Sequence, residues 1–144
     1  MKPPSIRITE YRNAVNRSEV IGLWKKVLGY KEAHNEPGLA IDKKISVADH
    51  LFFVALSEDS VVGTVMAGYD GHRGWIYSLA VAPECRKSGI GTALLAHAEK
   101  ALEGLGCVKI NLQIVEENKD VQTFYIRNGY TIEKRISMGK RLVR

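Results

Sequence analysis

Arg86-Lys87-Ser88-Gly89-Ile90-Gly91-Thr92-Ala93-Leu94-Leu95 follows an apolar run, Trp75 to Val81, and a break at Pro83-Glu84-Cys85. It also opens the strongest helical pattern of the chain, Ile90 to Leu105. A strand, a basic glycine-bearing loop and a helix start, in that order, make a place for phosphate. Gly89 and Gly91 carry no Cβ, so backbone N–H groups can point outward and a bulky anion can approach closely. The helix adds free N–H donors and the positive end of its dipole, and Arg86 and Lys87 add full charges. The same residues would also serve a tight strand-to-helix turn with no ligand.

Spacing excludes two phosphate motifs. A dinucleotide fingerprint needs a third small residue where Leu94 stands, and a nucleotide P-loop needs Gly-Lys followed by Ser or Thr, which Gly139-Lys140-Arg141 does not supply. What remains, Arg-x-x-Gly-x-Gly after a strand, resembles the acetyl-CoA pyrophosphate loop of the GNAT family of N-acetyltransferases, with Arg86, Gly89 and Gly91 at the matching positions. The resemblance implies that Arg86, Lys87, Ser88, Gly89, Ile90, Gly91 and Thr92 bind the cofactor.

A second motif lies downstream. Asn118 to Tyr130 reads as one short helix: Asn118 is a good N-cap, Asp120 suits the first turn, and Asn128-Gly129 is a left-handed stop. This stretch is similar to the family's Asn-x-x-Ala-x-x-Phe/Leu-Tyr-x-x-x-Gly-Phe, with Val121 for Ala and Tyr130 for Phe. The resemblance gives Asn118 the pantetheine arm and makes Tyr125 the acid that protonates the leaving thiolate. On the residues alone, Asn118 is equally a plain helix cap and Tyr125 a core tyrosine.

Leu79-Ala80-Val81 resembles the family's tripeptide on a strand that bulges and splays from its neighbour. There the N–H groups of Leu79 and Val81 would bind pantetheine amides and polarise the thioester carbonyl, where attack by an amine places negative charge. A plain buried strand would read the same, because backbone donors leave no side-chain signature. The implied reaction is direct transfer of acetyl from acetyl-CoA to a primary amine of a small molecule, peptide or protein, without a covalent enzyme intermediate. The base is unassigned: Gln113 stands where the branch acetylating protein N-termini often has Glu, and Glu116 and Glu117 read as solvated loop carboxylates. The rival reading is a CoA-binding regulatory module with the same fold and no catalysis.

At 144 residues, 45% hydrophobic and 26% charged, the chain suits a single domain, 1–144, with no linker or repeat. No apolar run has the length of a membrane span, and Met1-Lys2-Pro3-Pro4 lacks a secretory signal's apolar core, so the expectation is cytoplasmic. Cys85 and Cys107 have no metal-ligand spacing and read as reduced thiols, Cys107 in the core; no metal is expected. His50 and His97 read as structural. The net charge of +5 suits an anionic cofactor. Nucleic-acid binding is the competing reading of that charge, but Lys and Arg are scattered, and Lys134-Arg135 and Lys140-Arg141 read as a solvated strand edge. Dimers are common in the family, though no self-complementary patch stands out.

Along the chain, Ser5 to Tyr11 alternates like a strand. A helix capped by Asn16 or Ser18 runs through Trp24 to Gly29; Trp24 corresponds to a region where the family builds acceptor specificity, but on its own reads first as core. Tyr30 to Gly38, with His34 and Glu36, is a loop where the family builds acceptor specificity, and Leu39 to Val47 is helical. Leu51 to Leu56, Val61 to Tyr69 and Trp75 to Val81 form a meander. Val108 to Val115 is a buried strand, and Tyr130 to Ile136 and Met138 to Val143 are a last strand pair. The order β-α-α-β-β-β-α-β-α-β-β gives an α+β fold with a mixed, mostly antiparallel central sheet flanked by helices and a right-handed crossover through the Gly89 helix. It is also the GNAT order. The turn Asp70-Gly71-His72-Arg73-Gly74 reads first as a glycine turn in which Asp70 bonds its own backbone, and second as an acceptor or interface element. With Gly63-Thr64-Val65-Met66 before it, the run is similar to a bacterial GNAT subgroup labelled YpeA.

Overall fold

In the computed structural model, which describes residues 5–29 and 36–143, five strands lie in chain order across one sheet. They are β1 (Ile6–Glu10), β2 (Phe52–Ser57), β3 (Ser60–Tyr69), β4 (Gly74–Val81) and β5 (Ile110–Asn111). The first four pair antiparallel and β5 pairs parallel with β4. The α-helices are α1 (Asn13–Val27), α2 (Pro37–Val47), α3 (Ile90–Gly104) and α4 (Lys119–Arg127). Two compact units divide the chain: Met1–Gln113, holding the sheet and α1 to α3, and Ile114–Arg144, holding α4. The α+β class and the mixed, mostly antiparallel sheet are as the sequence implies.

Strand alternation sorts the first unit into two faces. Phe52, Val54, Met66 and Ala80 join Trp24 and Val20 of α1 and Ile41 of α2 in one buried cluster. The intervening positions meet α3: the Phe53 and His97 rings stand edge to face at 4.6 Å, and Gly63 lies under Leu94 and Ile90. A Cβ on Gly63 would stand 2.8 Å from Leu94 Cδ1 and 3.1 Å from the Ala80 carbonyl oxygen, so α3 packs there only because that position has no side chain. Fully burying a side chain such as Leu94 or Ile41 contributes about 1.5–3 kcal/mol.

Local chemistry sets the boundaries. Glu58 and Asp59 hold φ of 47 and 69, the paired positive values that a type I′ hairpin turn between β2 and β3 demands. The Glu36 carboxylate accepts from the N–H groups of Gly38 and Leu39 at 3.0 and 2.9 Å and starts α2. These backbone bonds lower its pKa.

Three expectations need correction. Neither Asn16 nor Ser18 caps α1, which begins at Asn13 after an Arg12 N-cap with no side-chain bond. Asn16 lies inside the first turn, buried, and accepts from the Arg12 N–H at 2.8 Å. The strand expected over Val108 to Val115 pairs only at Ile110–Asn111, with Val108 91% exposed. Among the described residues, 130–143 hold no strand, and Ile132, Ile136, Met138 and Leu142 are exposed. Alternation marks strand propensity, but a strand exists only where a neighbour completes its ladder. Residues 30–35, including His34, lie outside the described residues, so the loop expected there is not placed.

Candidate functional site

The site is built from the end of β4 and the start of α3. From Met66↔Tyr77 to Thr64↔Ala80, β3 advances two residues while β4 advances three. Ser78, at φ 52, is where β4 absorbs the extra residue as a bulge. On its other side β4 pairs with β5 through Gly74 and Trp75 alone, so its later residues have no ladder partner in β5. Ala82 donates its N–H back to Val62 at 2.8 Å. Strand alternation therefore turns the N–H of Val81 to the opposite edge, which has no ladder partner there among the described residues. Leu79 and Val81 are half-buried, whereas Ala80 is buried in the α1 cluster.

Beyond β4, Pro83–Cys85 makes one 3-10 turn and Arg86 extends at φ −70 and ψ 159. Lys87 then takes φ 66, and the Ser88 hydroxyl donates to the Cys85 carbonyl. Gly89 is the N-cap of α3 at φ 85, a left-handed value that favours glycine. The first helical bond runs from Ala93 N–H to the Gly89 carbonyl at 3.0 Å, and no side chain caps this end. The amides of Ile90, Gly91 and Thr92 thus have no acceptor within the helix, and the helix dipole places about half a positive charge there. Ile90 is buried beside Gly63 and pins this end to the sheet, while Arg86, Lys87, Ser88, Gly89 and Thr92 are exposed. Neither Arg86 nor Lys87 forms an ion pair among the described residues. Open amides, a dipole and two uncommitted cations make this surface an acceptor of anions.

Asn118 and Tyr125 share α4 in the second unit. Asn118 Oδ1 accepts from the Val121 N–H at 3.2 Å, so its capping role is met. Tyr125 is 7% exposed, its ring edge-on to Phe124 and Tyr130 at centroid distances of 5.1 and 5.4 Å. Burial pushes its phenol up to about 12. Gln122 Nε2 donates to the Glu116 carbonyl at 2.8 Å, while the Glu116 and Glu117 side chains are exposed.

The remaining polar residues have local work. Asp70 Oδ1 accepts from the N–H groups of His72 and Arg73, each at 2.7 Å, and Oδ2 from Trp75 Nε1 at 3.2 Å. The bonds from Arg73, His72 and Trp75 hold that carboxyl at about 2. Asp70 bonding its own backbone is thus observed. His50 pairs with Glu10 at 2.7 Å. Cys107 is half-buried rather than core, its Sγ donating to the Lys109 carbonyl at 3.3 Å. No group of three or more metal-ligating side chains occurs among the described residues, nor any helix long and apolar enough to cross a membrane. Sequence reasoning missed Thr64, a fully buried hydroxyl that accepts from Trp24 Nε1 at 2.8 Å and donates to the Ser78 carbonyl at 2.9 Å. A lone hydroxyl in the run Val61 to Ala67 was the only signal available.

A family model described as the acetyltransferase (GNAT) family matches residues 16–130. Among solved structures, the chain is similar to the aminoglycoside N-acetyltransferase AAC(6')-Iy in complex with CoA, at TM-score 0.80 and 19% identity over 99% of this chain and 98% of that one. It is similar to the PaiA N-acetyltransferase of Thermoplasma acidophilum in complex with coenzyme A, at TM-score 0.78 and 19% identity over 92% and 93%. Glucosamine-6-phosphate N-acetyltransferase from Arabidopsis thaliana gives TM-score 0.71 and 21% identity over 96% and 99%. At these identities the likeness is one of fold.

Proposed function

The chain belongs to the acetyltransferase (GNAT) family, and from that premise we propose that it transfers acetyl from acetyl-CoA directly to a primary amine. One observation carries the reading: the uncapped, left-handed entry to α3, with the free amides of Ile90, Gly91 and Thr92 behind Arg86 and Lys87. A diphosphate is the ligand that such a surface suits, and Arg86 to Thr92 would hold it. The N–H groups of Leu79 and Val81, with Ala80 anchoring the strand, would take the pantetheine amides, and Asn118 would contact the same arm.

The amine lone pair attacks the thioester carbonyl carbon, charge gathers on the carbonyl oxygen, and the C–S bond breaks. An edge N–H of β4 aimed at that oxygen lowers the barrier. Tyr125, kept neutral by a pKa of about 12, donates to the departing sulfur at any ordinary pH. Tyr125 passes its phenol proton to the sulfur, and because its pKa lies far above the roughly 8.5 of a thiol the proton given up by the attacking nitrogen restores the phenol, so Tyr125 ends the cycle as it began. The products are an amide and free CoA thiol. We take residues 1–144 as one catalytic domain; the family match runs across the junction of the two units. Within the family we place the chain nearest the YpeA-like subgroup, on the run Gly68 to Gly74 with Gly63 to Met66 before it.

A thiol-release assay with acetyl-CoA over a panel of amines tests the proposal, and amine-dependent release is expected. CoA binding without release across the panel would instead favour the non-catalytic CoA-binding module.

A further inference from the structure

We propose that Thr64 is a positioning residue for the acyl donor, locking the β4 bulge through a buried relay that begins at Trp24. The inference rests on the reading of β4 as the acyl-donor strand. Trp24 and Thr64 are both 0% exposed, and Nε1, Oγ1 and the Ser78 carbonyl stand in line at 2.8 and 2.9 Å. The chemistry permits one direction only. An indole N–H cannot accept, so Thr64 Oγ1 must accept from it, and the one hydroxyl proton is left for the Ser78 carbonyl.

That carbonyl belongs to the residue at φ 52. A serine holds such a conformation only where its surroundings over-determine it; here Thr64 of the neighbouring strand, 14 residues away in sequence, holds the Ser78 carbonyl and is itself held by Trp24 of α1, 40 residues before Thr64. The consequence lies on the far side of β4. Drawing the Ser78 carbonyl toward α1 fixes where the extra residue sits. Ala80 then resumes its pairing with Thr64, and the Val81 N–H keeps to the open edge. A side chain wholly inside the core would thereby set the aim of the donors that read the thioester. Valine fills the volume of threonine, so packing alone does not call for a hydroxyl at this place on β3.

The test uses Thr64→Val, Thr64→Ser and Trp24→Phe in the full chain, with two readouts. Amide spectra and hydrogen exchange of Ser78 to Val81, without ligand, report the bulge. Calorimetric Kd for CoA and the KM for acetyl-CoA report its use. T64V is expected to shift the Ser78 to Val81 amides, reduce their protection and weaken CoA about tenfold, the ratio that one lost hydrogen bond commands. T64S is expected to stay within about twofold of the parent, because it keeps the hydroxyl. A general loss of folded protein would lower kcat and leave KM alone; positioning raises KM. W24F, which spares Thr64, should move both readouts the same way and by less, and serves if T64V does not fold.

Unmoved amides in T64V and W24F overturn the relay whether or not CoA binds. Moved amides with unchanged Kd and KM overturn the positioning role. A parent chain without affinity for CoA removes the acyl-donor reading, and the positioning role with it, while the amide arm still decides the relay.

Discussion

Replacing Gly89 by alanine isolates backbone conformation from steric bulk. The N-cap of α3 holds φ 85, and a Cβ built there meets nothing within 4 Å. The substitution therefore adds no clash, and its cost is that of an L-residue in the left-handed region, about 1–2 kcal/mol. Alanine also narrows the unfolded ensemble, which offsets roughly 0.4–1 kcal/mol. The net loss is then near ~1 kcal/mol, and for a chain of 144 residues Tm should fall by about 2–4 °C. If the loop relieves itself by leaving the left-handed region, the amides of Ile90 and Gly91 swing away from a bound diphosphate. Each charge-assisted bond lost weakens binding by about 1.5–3 kcal/mol, roughly 10- to 100-fold in Kd. Thermal melts and calorimetric titration with CoA measure the two effects separately. Gly89→Asn, which tolerates positive φ, should recover much of the Tm. An unchanged Tm in G89A would refute the left-handed cap, and a lowered Tm with parental CoA affinity would refute the loop as the diphosphate seat.

Tyr125→Phe should lower kcat by about 10²-fold, the scale of a lost acid, with CoA binding kept; full turnover would remove Tyr125 from the reaction. Its raised pKa also has a stability sign. The folded chain holds the phenol proton more tightly than the unfolded chain, so this contribution is complete below about 10 and is lost as pH rises toward about 12. Urea midpoints at rising alkaline pH should fall more steeply for the parent than for Y125F. Gly63→Val forces a side chain into Leu94 and the Ala80 carbonyl and should destabilise by about 1–3 kcal/mol, read from urea unfolding. A neutral outcome would mean that α3 stands farther from β3 than described.

The legible parts of this fold are those fixed by local chemistry. Pro83, Gly89 and the apolar period after Ile90 announce the entry to α3 within a few residues. The same holds for the turn at Asp70, whose side chain needs only its own neighbours. Trp24 could be read as core from its helical spacing, but not its partner, because Thr64 lies 40 residues on and is joined through a single hydroxyl. The start of α1 was misread because Asn16 caps backward onto Arg12 from inside the helix, a geometry that composition does not distinguish from an N-cap. The alternation of Tyr130 to Val143 promised strands, yet pairing partners are a property of the whole fold and cannot be seen in the segment.

On the proposed reading, a diphosphate seats on the bare amides where α3 begins. Side-by-side calorimetry with CoA and with pantetheine, which shares the arm but lacks the diphosphate, tests it most directly. One CoA is expected to bind per chain, weakened by added salt, with at least about a hundredfold loss for pantetheine, the sum of two charge-assisted bonds at about 1.5 kcal/mol or more each. Equal affinity for the two, or no heat with either, would contradict it.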